Sequence, residues 1–363
     1  MSTATTESRV LTGPNPFKIN PADEFLATPQ LDVPLWSETM FFTVWNPAEG
    51  VGVWIHVGTH WEDPTIWHGQ VFAYLPGGED FVADISWGKP TDDRGPCTGA
   101  FRAICDEPLK KWTLRYDGVG ERSTVTEGSR HLLGTGPAFT PFSFEVELTA
   151  AMPIWDLFQA TDLKGRDWGG VHHQQTLRSR GNLTVGGVGQ WSLDGCSFRD
   201  HSVGPRDFGP LGGDHFLGVL FPQSGRSLTT LIMWDRTGHV DLRTASIHDG
   251  DKMELIGDVQ MTGLEYGVDT PHGLHDSAAN PRQFELMLGR REGPLVLPLE
   301  VLHTAPETYF DPNIFCNGCA ITERDKDPLL SAQCAVAITW PDGERGYGNL
   351  ERTYRLSDLK GLQ

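Results

Sequence analysis

Short apolar runs separated by turn residues recur along most of the chain. Residues 40–45 and 52–57 are β-branched and aromatic, with Asn46-Pro-Ala-Glu-Gly50 between them, and residues 70–75 stop at Pro76-Gly-Gly78. Residues 142–148 alternate strictly, with Phe142, Phe144, Val146 and Leu148 on one face and polar residues on the other. That is the pattern of an antiparallel strand with one buried face. Residues 215–221, 227–234, 253–259, 283–288 and 347–354 have the same texture, punctuated by Thr237-Gly, His248-Asp-Gly-Asp251 and Pro341-Asp-Gly343. The run at 227–234, the Thr237-Gly turn and the run after it predict a hairpin. Helical signals are confined to a short start at 153–158 and a last turn at 357–362. The pattern predicts an all-β protein with few short helices.

Composition narrows the class. The 363 residues include 42 Gly and 25 Pro, a supply that suits many short strands and turns. At this length two domains, or one large β-rich one, are expected. The polar, Pro-containing segment 1–25 reads as an arm. The Gly- and Ser-rich zone 178–189 marks a boundary between a first β domain, 26–182, and a second, 183–363.

Charge excludes several partners. The 29 basic and 48 acidic residues leave −19, so phosphate backbones and anionic membrane surfaces repel the chain. No basic-then-apolar leader opens the sequence, and no stretch approaches the ~20 apolar residues of a membrane span. A cytoplasmic protein with no nucleic acid partner and no membrane insertion is expected, with a homodimer the assembly left open. The six cysteines, among them the Cys316-Asn-Gly-Cys319 pair, are then expected as reduced thiols. A lone CxxC lacks the second pair that a four-thiolate zinc site needs.

The densest polar cluster is Arg199-Asp-His-Ser-Val-Gly-Pro-Arg-Asp207. On a strand Arg199 and His201 face one way and Asp200 the other, until Gly204-Pro205 breaks it. A carboxyl held in an apolar cavity has a raised pKa and can donate a proton near neutrality; the bland reading is a turn stitched by Arg–Asp pairs. A second constellation is His56, His60, Glu62 and His68 among Trp54, Trp61 and Trp67. His56, His60 and Glu62 share strand parity, which permits a metal site, the lining of an apolar pocket or ordinary structure. Of the adjacent His172 and His173, at most one lines any given cavity. His272 and His275 fall in a loop pattern. No dinucleotide fingerprint, phosphate loop or nucleophile elbow occurs, so no nucleotide cofactor is expected.

The segment Arg199–Asp207, preceded by Asp194-Gly, resembles the RDHSWGPRD-type signature of the two-domain lipocalin-like superfamily, which includes carotenoid 1,2-hydratase-like proteins. Val203 stands where that signature has Trp. Gly346-Tyr-Gly-Asn-Leu-Glu-Arg352 resembles the closing strand of such proteins, and the likeness spans residues 30–358. It implies two antiparallel lipocalin-like barrels or half-barrels packed together around an apolar cavity, and a cofactor-independent hydratase, dehydratase or isomerase acting on a terpenoid- or steroid-like molecule. It makes Asp200 the proton donor, His201 its orienting or relaying partner, and Arg206 and Asp207 their support. The apolar substrate would then meet Trp54, His56, His60, Trp61, His173 and Trp191. Indole rings stabilise a carbocation by ~2 kcal/mol each when desolvated. The alternatives are a non-catalytic binder of a lipophilic molecule and a metal-dependent enzyme using His56, His60 and Glu62.

Overall fold

The computed structural model describes residues 4–5, 8–60, 62–124, 139–161, 163, 169–261, 283–309 and 329–355. Cys316, Cys319, His272, His275, Trp61 and the turn expected at 357–362 lie outside them. Strands β1 (Ala4–Thr5) and β2 (Arg9–Thr12) precede a 3-10 turn at Pro21–Glu24. The first sheet takes β3 (Trp36–Asn46), β4 (Val51–Thr59), β5 (Trp67–Tyr74), β6 (Asp80–Gly88), β7 (Cys97–Thr98), β8 (Phe101–Glu107) and β9 (Lys111–Thr124). It continues through β10 (Phe139–Ala150), β11 (Trp155–Asp156), β12 (Val171–Val185), β13 (Gly189–Ser192) and β14 (Gly195–Pro205), with helix α1 (Leu157–Ala160) before β12. The second takes β15 (Leu211–Leu220), β16 (Ser227–Asp235), β17 (Val240–Asp249), β18 (Lys252–Ile256) and β19 (Val259–Met261). It ends with β20 (Gln283–Arg290), β21 (Gly293–Tyr309), β22 (Leu329–Thr339) and β23 (Arg345–Arg355).

The protein is all-β, as the alternation predicts, and antiparallel but for the short β1–β17 pairing among the described strands. In the first sheet β9 pairs with both β6 and β10, so β3-β4-β5-β6-β9-β10-β12-β14 returns on itself as a closed barrel. The second sheet runs open from β19 through β23, β15 and β18 to β2. The Thr237-Gly hairpin is β16–β17, whereas residues 253–259 divide into β18 and β19. The chain passes between sheets after Pro205. The N-terminal arm serves both: β2 pairs with β18, and the turn that follows buries Glu24 in the first barrel.

Alternation builds three apolar layers. Met40, Phe42, Ile55, Leu114, Val146 and Leu148 fill the first barrel, and Leu217, Val219, Ile247, Leu297 and Leu350 line the second sheet's interior. Between them lies a third core, made by residues on the outer faces of both sheets: Phe41, Trp54, Phe72, Phe198, Phe216, Leu231 and Met233. Strands β14, β3 and β4 thus bury both faces, which explains the apolar and aromatic runs of β3 and β4.

The seam is tight at one glycine. A Cβ on Gly218 would stand 2.2 Å from the Phe198 ring. Gly218→Ala is therefore expected to cost about 1–3 kcal/mol, the usual range for overpacking. A lower urea midpoint, partly restored when Phe198→Leu is added, is the expected result; an unchanged midpoint for the single variant would contradict this packing.

Candidate functional site

Strand β14 carries the polar cluster, and its period of two sends alternate residues to different layers. Phe198, Asp200 and Ser202 face the seam, while Arg199 and His201 face the interior of the first barrel. Gly204, with φ +127°, ends the strand; a Cβ there would meet the backbone nitrogen of Gly170 at 2.5 Å. The turn brings Arg206 back over the seam, where its Nη1 donates to Thr39 Oγ1 at 2.7 Å and its guanidinium lies 5.1 Å from the Phe208 ring.

A cavity of about 80 Å³ opens here between the two sheets. Its polar lining comes from Thr39, His56, His172, Asp200 and Arg206 on the first sheet side and Asp214 and Glu351 on the second. Phe41, Leu157, Phe208, Phe216, Leu231 and Met233 supply the apolar walls. The short helix α1 presents Leu157. Asp156 caps it, accepting from the backbone N–H of Phe158 at 2.9 Å and of Gln159 at 3.2 Å.

The titratable groups are tuned by this burial. Asp200 makes no ion pair among the described residues. Burial pushes its carboxyl up to about 7, and Glu351 pushes the same way, against the partial opposition of Arg206. Asp214 and Glu351 are also raised, chiefly by burial, and in Asp214 by the charge of Glu351 as well. Burial drives His172 and His56 down to about 3, so both rings are neutral. Gln174 Nε2 donates to His172 Nε2 at 2.7 Å, so the ring proton sits on Nδ1 and is donated to Ser202 Oγ, also at 2.7 Å.

The first barrel holds a separate polar network. Arg199 Nη2 donates to Glu24 Oε2 at 2.5 Å and to Gln175 Oε1 at 2.8 Å, and its guanidinium lies 5.2 Å from the Trp112 ring. Burial alone would raise Glu24, but Arg199, with smaller help from His201 and His173, holds the carboxyl below its ordinary value. His201 Nε2 donates to Glu38 Oε1 at 2.8 Å. His173 Nε2 lies 3.8 Å from Asp156 Oδ2, and burial lowers its pKa.

The expected site residues therefore separate. Asp200, Arg206 and His56 line the cavity together. His201 and His173 belong to the barrel interior, on the far side of their strands. Asp207 turns away, its Oδ1 accepting from the Gly209 N–H at 2.8 Å. Trp54 stands behind the wall, stacked on His56 with centroids 6.2 Å apart. Trp191 packs against the first barrel's core, and His60 accepts the Glu62 N–H on Nδ1 at 3.2 Å and contacts the Trp87 ring. His56, His60 and Glu62 do not converge, and no group of three His, Cys, Asp or Glu among the described residues is arranged to hold a metal ion.

Asp214, Glu351 and the wall residues Phe216, Leu231 and Met233 were not singled out by sequence. The one signal for Glu351 is polar alternation at Asn349, Glu351 and Thr353 around the buried Leu350. In a single sheet that pattern marks a wet face; here a second sheet covers it.

Two packed lipocalin-like β-sheets with a buried carboxyl at their seam define the class. The chain belongs to the family described as a domain of unknown function (DUF7064), whose model matches residues 20–275. A comparison with curated proteins finds no match. Among solved structures, a Nitrosomonas europaea protein provisionally assigned as AttH superposes with TM-score 0.55 at 13% identity, covering 90% of this chain and 94% of its own. Kievitone hydratase from Nectria haematococca superposes with TM-score 0.53 at 11% identity, covering 97% and 98%. At these identities the likeness is one of fold. No helix among the described residues is long and apolar enough to cross a membrane.

Proposed function

We propose that the protein is a hydratase, dehydratase or isomerase acting by acid catalysis on an apolar, terpenoid- or steroid-like small molecule, with Asp200 as the proton donor. The observation that carries the reading is a buried carboxyl with no ion pair among the described residues, in a cavity between the two sheets, raised to about 7. Such a group is protonated often enough near neutrality to act as a general acid, a role worth typically 10²- to 10⁴-fold in rate. In hydration the Asp200 proton forms a C–H bond with the alkene π electrons. Water then forms the C–O bond at the adjoining cationic carbon, and dehydration is the reverse. The Phe41 and Phe216 rings present π surface to that cation. The hydratase among the fold's relatives supports this direction of reading.

Volume limits what reacts. The cavity's 80 Å³ is about three times a water molecule's share of liquid volume. It takes the end of an isoprenoid chain or the edge of a ring, and a whole steroid enters only as Leu157, Phe208 and Met233 yield.

The reading is tested by incubating the protein with isoprenoid and steroid alkenes and their tertiary alcohols, then extracting products and retained ligand. A product differing by one water, or an isomer, is expected. Stoichiometric retention without product would favour the alternative, a lipophilic-ligand binder, which shares the apolar walls but needs no desolvated acid. For any compound turned over in the hydration direction, kcat/KM should fall as pH rises through about 7, where Asp200 loses its proton. A profile flat to about pH 9 would exclude Asp200 as the acid.

A further inference from the structure

The wall opposite Asp200 carries two carboxyls that the proposed reaction has not yet used. Strands β15 and β23 pair antiparallel, with Asp214 opposite Thr353 and Phe216 opposite Glu351. Asp214, Phe216, Glu351 and Thr353 therefore share one face, and it is the face that looks into the cavity. Thr353 Oγ1 donates to Glu351 Oε1 at 3.3 Å, and Thr353 stands directly opposite Asp214 across the strand pair. The other Glu351 oxygen accepts from Gln333 Nε2, an amide held in turn by Ser331 and Asn349. Asp214 Oδ1 is buried without a hydrogen-bond partner among the described residues.

A hydroxyl has one proton to give. With that proton given to Glu351, the hydroxyl can meet Asp214 only as an acceptor from a protonated Asp214 carboxyl, and the roles exchange if the proton crosses to Glu351. Two carboxyls sharing a buried site do not both ionise readily. The surroundings compensate only in part. Arg206, the guanidinium among the groups lining this cavity, donates to Thr39 and favours the ionised form of all three carboxyls, but burial outweighs it. His172 and His56 are neutral, and Asp200 adds a further acid.

We propose that Asp214 and Glu351, bridged by the Thr353 hydroxyl, hold one exchangeable proton between them and form a second acid–base group facing Asp200 across the cavity. On the reading of Asp200 as donor, on which the use of the pair rests, the proton balance closes. Asp200 gives its proton to the alkene carbon, water bonds to the cation, and the proton that water releases goes to the ionised member of the pair. It returns to Asp200 through water, leaving alkene plus water converted to alcohol. Acid and base on opposite walls give anti addition.

The test needs no substrate. Side-chain carboxyl carbons of ¹³C-labelled Asp and Glu are followed by NMR against pH in wild type, Asp200→Asn, Asp214→Asn, Glu351→Gln and Thr353→Val. The wild-type Asp214 and Glu351 carbons are expected to move together in two steps, at least about tenfold apart in proton affinity, the mark of coupled sites. Asp214→Asn and Glu351→Gln should each leave the surviving partner with a single step. Thr353→Val should narrow the separation, and Asp200→Asn should keep both steps. Both carboxyls ionised together below about pH 6, or a Glu351 titration indifferent to Asp214→Asn, would overturn the proposal. The wild-type titration decides it even if a variant fails to fold. It also stands apart from the Asp200 reading: that reading fails by persistent turnover in Asp200→Asn, which leaves the two-step titration untouched.

Discussion

Asp200→Asn is expected to lose turnover by at least about 10²-fold, keep its ligand, and become more heat-stable than wild type above neutral pH. The first two follow from the isosteric amide, which fills the same space in the cavity wall but has no acidic proton to deliver. The third follows from linkage. The folded-state pKa of Asp200, about 7, lies above its ordinary 3.8, so the folded protein binds the proton more tightly than the unfolded chain does. Wild-type stability is then highest at low pH as far as this group is concerned. It falls as pH rises from about 4 to 7 and levels off beyond. The rise from 3.8 to about 7 corresponds to a penalty of up to about 4 kcal/mol at pH 8, which asparagine does not incur. Thermal midpoints at pH 5 and pH 8 for both proteins check this. A gap in favour of the variant that is clearly smaller at pH 5 than at pH 8 is the expected result; equal loss at both pH values would mean that the carboxylate is a structural partner.

Glu24→Ala is expected to be the most destabilising single substitution at the first barrel's polar network. Glu24 and Arg199 are both almost wholly buried, so removing the carboxylate strands a guanidinium whose remaining ties are Gln175 and the face of Trp112. Breaking a buried pair in this way costs about 3–5 kcal/mol. For a protein of this size that is a drop in thermal midpoint of roughly 5 °C. The loss should exceed that of Glu24→Gln, which keeps an acceptor for Arg199 and for the Leu109 N–H. The same link ties the N-terminal arm to the barrel. Faster proteolysis between Thr12 and Glu24 in the alanine variant is the second readout, and an unchanged midpoint would contradict the account.

Local pattern carried the strands. Phe142, Phe144, Val146 and Leu148 all point into the first barrel, and the Thr237-Gly turn joins paired strands, because alternation and turn chemistry act over a few residues. Alternation reports that a face is buried, not what buries it. The closure of β9 on β10 and the reach of the arm to β18 are long-range pairings with no local signal.

The site divides along the same line. Parity on β14 correctly separated Asp200 from Arg199 and His201, but which of those faces meets the cavity depended on the second sheet. For the neighbouring histidines parity left the choice open, and packing placed His172 at the cavity and His173 in the barrel. Asp214 and Glu351 come from strands of the second sheet and meet Asp200 only because the two outer faces close on each other.

The measurement that bears most directly on Asp200 as the proton donor is turnover in ¹⁸O-labelled water of an alkene that the protein hydrates, with wild type and Asp200→Asn side by side. The account predicts one ¹⁸O in the alcohol made by wild type and no alcohol from the variant, although the variant retains the alkene. Alcohol formed at the wild-type rate by Asp200→Asn would contradict it.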